Sequence, residues 1–63
     1  LILERAQEAA QKKRDTFSMN AHVLKDERGE YFTVLDINLK VMLESNYQLD
    51  KTIYYTAWQI SHR

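Results

Sequence analysis

Two rhythms of apolar residues succeed one another along this chain. From Leu1 to about Arg14, Ile2, Ala6, Ala9 and Ala10 fall, together with Phe17, near one face at i, i+4, i+7 spacing, while Glu4, Glu8, Gln11 and Lys12 fall on others. That period, carried by good helix formers with no Gly or Pro, predicts an amphipathic helix. Its buried stripe is narrow and mostly alanine, so the helix buries little area of its own and depends on a partner surface.

After Asp15 the period shortens to two. Met19–Lys25 and Glu30–Ile37 read as strands flanking Asp26-Glu27-Arg28-Gly29, which holds the single glycine of the chain. A three-residue loop ending in a left-handed residue is the type I turn with a G1 bulge, and glycine occupies that last position without steric cost. With Asp26 opposite Glu30 the register becomes Lys25:Tyr31, Leu24:Phe32, Val23:Thr33, His22:Val34 and Ala21:Leu35. Opposed residues share a face, so Met19, Ala21, Val23, Leu35 and Ile37 form one side. Asn20, His22, Leu24, Phe32, Val34 and Asp36 form the other.

The alternation continues through Leu35, Ile37, Leu39, Val41 and Leu43, which extends the second strand to about Glu44. The alternative over the same residues is a helix starting from Asp36, because Leu35, Leu39, Met42 and Leu43 also sit at helical spacing. Turn formers over 45–50 then lead to Lys51–Ile60, a β-branched and aromatic run that predicts a third strand. The expected fold class is α+β: an N-terminal helix packed on a three-stranded antiparallel β-meander. No repeat and no Pro- or Ser-rich linker divides the chain, so one small domain over 1–63 is the simplest account. The opening Leu1-Ile2-Leu3, without an initiator methionine, points to a processed product or a piece of a longer chain.

Length sharpens the consequence of a thin stripe. At 63 residues a chain hides only ~60% of the surface its unfolded form exposes, and small domains offset this with disulfides, metals or association. There is no cysteine, and His22 and His62 have no paired ligand spacing around them, so no metal or cofactor is expected and association remains. No window approaches the roughly 18 apolar residues of a membrane span, and the default address is cytoplasmic.

The sequence carries no nucleophile, phosphate-loop or dinucleotide signature, and the carboxylates Asp26, Glu27 and Glu30 sit at a solvated hairpin tip, so no enzymatic activity is expected. His22, between Leu24 and the opposed Val34, reads as a strand histidine without an assigned task; its sharper reading is a proton-sensitive contact in an interface. The stronger signal is the second sheet face. Leu24, Phe32, Val34 and Met42, with Tyr55 if Glu44 pairs with Lys51, are apolar on a side that one helix cannot also cover. The leading expectation is therefore a non-enzymatic interaction or assembly module that docks through this face, or through an edge strand, onto a protein partner or a second copy. Nine Lys+Arg against nine Asp+Glu leave no net charge to draw the chain to nucleic acid. The alternative is a small nucleic-acid-binding regulator using Lys12, Lys13 and Arg14 at the helix end and Arg28 at the hairpin tip, with Tyr31, Phe32, Tyr54, Tyr55 and Trp58 available to stack bases.

Overall fold

The computed structural model of the chain describes residues 2–45 and 50–59, which form α1 (Leu3–Phe17), β1 (Ala21–Lys25), β2 (Tyr31–Leu35), α2 (Asp36–Ser45) and β3 (Asp50–Ala57). This is the expected α+β class, a helix on an antiparallel three-stranded sheet. Two features differ from expectation: the strand order, and a second helix where a long strand was anticipated.

Helix α1 runs three residues beyond Arg14, so its last turn is Arg14–Phe17 rather than the Lys12-Lys13-Arg14 run. It stops at Ser18, which adopts the left-handed conformation at φ 56°. A non-glycine residue there carries a steric cost that glycine avoids. Ser18→Gly is expected to raise stability by about 0.5–1 kcal/mol, net of glycine's greater freedom when unfolded, as read from the urea midpoint. No change or a loss would show that the serine hydroxyl contributes more than its backbone costs.

The β1–β2 hairpin has the anticipated register, from Ala21 opposite Leu35 to Lys25 opposite Tyr31. Gly29 sits at φ 82°, and the Asp26 carboxylate accepts hydrogen bonds from the Arg28 and Glu30 backbone N–H groups, both at 2.9 Å. Local turn chemistry thus sets the pairing of two strands.

The meander expected after this hairpin does not form. Residues 36–45 coil into α2 and fold back across the sheet, and β3 pairs antiparallel with β1, giving the order β2-β1-β3. The helical alternative wins because Leu39, Met42 and Leu43 then land together over Leu24 and Val34. A continued strand would leave those two residues in water. Ile37 and Val41, the remaining members of the alternation, project outward at 68% and 62% exposure. The turn expected between the second and third strands lies mostly outside the described residues, as does His62.

The β1–β3 register runs Ala21:Ala57, His22:Thr56 and Val23:Tyr55 and then slips at an irregularity before Lys25:Asp50. No pairing of Glu44 with Lys51 exists in this order. Tyr55 and Ala57, paired with Val23 and Ala21, therefore face α1.

Two small cores result. Under α1, Ala6 and Ala10 pack on Ala21, Val23 and Ala57, with Leu3, Tyr31, Leu35, Tyr54 and Tyr55 at the margin. The alanines bring helix and sheet close but remove little apolar area from water. At the margin of this core Tyr31 and Tyr54 meet edge to face, ring centroids 5.6 Å apart, and the Lys25 ammonium lies 5.2 and 5.4 Å from the two centroids. Under α2, Leu24 is fully buried and Val34 nearly so, with Phe32, Leu39, Met42 and Leu43 around them. Among the described residues no helix is long and apolar enough to cross a membrane.

Candidate functional site

Strand β2 is at one edge of the sheet, with β1 on its inner side. Which of its backbone groups face outward follows from the bonds at the two ends of the hairpin. Asp26 N–H donates to the Glu30 carbonyl at 2.9 Å, and Asp36 N–H donates to the Asn20 carbonyl at 3.1 Å. Hydrogen-bonded pairs alternate along an antiparallel ladder, so 22:34 and 24:32 are bonded pairs as well. Phe32 and Val34 therefore spend their N–H and C=O groups on β1, and Tyr31 and Thr33 turn theirs away from the sheet.

The outward groups of Thr33 border a slot of ≈ 730 Å³ lined by Lys13 and Phe17 of α1, Thr33, Val34 and Leu35 of β2, and Asn38, Val41 and Met42 of α2. The two helices cover opposite faces of the sheet, since α1 packs on Val23 and Leu35 and α2 on Leu24 and Val34. A concavity bordered by both must straddle the edge strand between them. Its floor is the rim of β2, and its walls are the overhanging flanks of the helices. Phe17 is 53% exposed and Val41 is exposed likewise, so the walls are apolar and accessible. Lys13 is exposed, and its ammonium has no partner among the described residues.

A polar cluster centred on the buried His22 holds α2 in the position that forms one wall. His22 on β1 is 5% exposed; its Nδ1 lies 2.9 Å from the Thr56 hydroxyl on β3, and its Nε2 bonds the Asp36 carboxylate at the start of α2. A carboxylate only accepts, so Nε2 carries the hydrogen and, in the neutral ring, Nδ1 accepts from Thr56. The second Asp36 oxygen accepts from Asn20 Nδ2 at 3.1 Å, and Asn20 Oδ1 accepts from Gln59 N–H at 2.6 Å. One imidazole thus ties β1, β3 and the α2 start together. Asp36→Ala is expected to cost about 1–3 kcal/mol, because it leaves a buried donor unsatisfied and frees the first turn of α2. Urea denaturation measures this; a cost below about 0.5 kcal/mol, the scale of ordinary surface changes, would mean that the cluster does not hold the helix.

The carboxylate partner of His22 was hidden from a search along β1 because it arrives from fourteen positions away. The signal existed nonetheless: the hairpin register puts His22, Val34 and Asp36 on one face, with Asp36 diagonal to His22. His22 is enclosed within the chain and is not a surface contact.

The anticipated docking residues divide. Leu24 and Val34 are buried and Phe32 and Met42 partly so, all against α2, while Tyr55 is on the opposite face, its hydroxyl accepting from Gln11 Nε2 at 2.9 Å. The premise of an uncovered second face fails because the chain supplies its own second helix. Val34 and Met42 nevertheless border the slot at the edge, and Lys13, expected to contact phosphate, borders it too. Phe17, Asn38 and Val41 were not singled out beforehand for such a site, since only the packing of both helices brings them to one strand.

The basic residues do not gather. Lys12, Lys13 and Arg14 lie at the end of α1 that leads into β1, and Arg28 lies in the turn after β1. A five-residue strand separates them, roughly 17 Å at the usual rise. Arg14 is engaged with the Asp15 carboxylate at 2.9 Å and approaches the Trp58 carbonyl at 3.5 Å. The aromatics are equally dispersed, with Phe32 under α2, Tyr31, Tyr54 and Tyr55 at the α1 core, and Trp58 exposed. No family model, no curated protein and no solved structure matches the chain.

Proposed function

We propose that this chain is a non-enzymatic interaction module that captures an extended segment of a protein partner along the free edge of β2. The observation that carries the reading is that the edge strand with outward backbone groups at Tyr31 and Thr33 borders, at Thr33, an apolar slot walled by both helices. Strand addition needs those two things: a row of unpaired N–H and C=O groups for affinity, and flanking pockets for alternate side chains. Strand β2 also lacks the proline, bulge or inward charge that commonly guards an edge. The alanine-rich core adds a motive, since an additional strand would extend a sheet whose own burial is small.

A catalytic reading receives less support. Thr56, His22 and Asp36 stand in the order hydroxyl, imidazole, carboxylate, which is how nucleophiles are activated. The imidazole is buried, however, and neither His22 nor Thr56 borders the slot, so the cluster serves position rather than turnover.

The test is selection of extended peptides from a random display library on the full chain, followed by mapping of binders through backbone amide shifts. Changes concentrated on Tyr31–Leu35, Phe17 and Val41 are expected. Shifts centred on β3 or on the outer face of α1 would overturn the assignment.

A further inference from the structure

Resting on the strand-capture reading, we infer that the slot selects a segment with an acidic side chain flanked on both sides by apolar ones, the acidic residue standing opposite Thr33. The alternation of a β-strand makes this a geometric consequence. A residue paired with Thr33 shares its face of the sheet, whichever direction the added strand runs. Odd-numbered β2 residues face α1, as Tyr31 and Leu35 do, so the side chain opposite Thr33 projects toward the α1 wall. That wall presents Lys13, whose ammonium has no partner among the described residues, beside the ring of Phe17. An acidic side chain there meets Lys13, the one cation among the described residues that line the slot.

The neighbours on either side of that residue point the other way, toward the α2 wall. Val41 and Met42 form it, with Val34 beneath, and the Asn38 amide stands beside them. Val34 and Met42 belong to the core cluster under α2, so apolar side chains placed there continue a packed surface and do not open a new one. The pattern apolar–acidic–apolar thus matches the slot at three consecutive positions. A second copy of this chain would offer Phe32-Thr33-Val34 in the same register, which satisfies the apolar flanks and leaves Lys13 without a counter-charge.

The experiment titrates the full chain with the capped peptide Ser-Thr-Val-Glu-Val-Thr-Ser and with versions carrying Gln or Lys in place of the central Glu. The Glu peptide is expected to bind about five- to tenfold more tightly than the Lys peptide at low salt, with Gln between, the range that exchanging attraction for repulsion at an exposed pair produces. In Lys13→Glu the order should invert. Equal affinities for all three peptides, or an unchanged order in Lys13→Glu, would sink the acidic preference. In that event a Thr33→Pro chain that binds every version more weakly would leave strand capture itself standing. If none of the peptides binds and the selected library peptides do not map to β2, both the capture reading and its specificity fail. Self-association competing equally with the Glu peptide would count against Lys13 as the selecting group.

Discussion

Val34→Pro is expected to abolish cooperative folding, whereas Thr33→Pro, one residue earlier, leaves the chain folded. Both positions are on β2, and both substitutions fix φ and delete an N–H. The difference is where that N–H points. The bonds from Asp26 to Glu30 and from Asp36 to Asn20 make even-numbered β2 residues the ones paired to β1. Proline at 34 therefore breaks a ladder bond to His22, and it also replaces a nearly buried valine under α2. Losses of about 3 kcal/mol or more are usual for proline at a hydrogen-bonded position of regular structure. A 63-residue domain at the usual 0.05–0.15 kcal/mol per residue has only about 3–9 kcal/mol in total. At 33 the lost donor faces the slot, and proline is tolerated at an edge on its solvent side, so a cost of about 1 kcal/mol is expected. Circular dichroism with urea denaturation checks both. A folded Val34→Pro beside an unfolded Thr33→Pro would invert the ladder and remove the basis for strand capture.

The second large effect is at Leu24. Leu24→Ala should destabilise by about 2–5 kcal/mol, the range for truncating a fully enclosed leucine, because α2 loses the fully buried side chain at the centre of its core. Ile37→Ala, on the outer side of α2, should change stability by less than about 0.5 kcal/mol. The pair separates two folds of the same sequence. Had residues 35–44 continued as a strand, Ile37 would share the core face with Val23 and Leu35, and Leu24 would be on the open side. The ranking of the two costs would then reverse. Urea midpoints with a common slope measure the comparison.

The surface open to a partner is smaller than the pattern of apolar residues suggests. A whole sheet face was expected to await a partner, and α2 fills that role over Leu24 and Val34. What remains open among the described residues is narrower, a strand rim with one cation and an apolar wall on each side. On the proposed reading such a rim would recognise backbone first and side chains second, which suits a segment bound in extended form.

Sequence alone determined α1, the hairpin, the register of β1 against β2 and the presence of a third strand. Each of these rests on short-range information: helix-forming residues at a helical period, a glycine where φ must be positive, an aspartate that bonds the turn, and β-branched alternation. Tertiary structure alone decided three further things. Residues 36–45 satisfy both periods, and the choice fell to helix because Leu24 and Val34 needed cover and because Asp36 reaches His22 and Asn20. Once α2 folds back over the sheet, the chain returns beside β1 and not beside β2, which sets the order β2-β1-β3 and leaves the β2 rim without a strand neighbour among the described residues. The slot then follows, since Lys13, Thr33 and Val41 are remote in sequence and meet only where two helices on opposite faces overhang one strand.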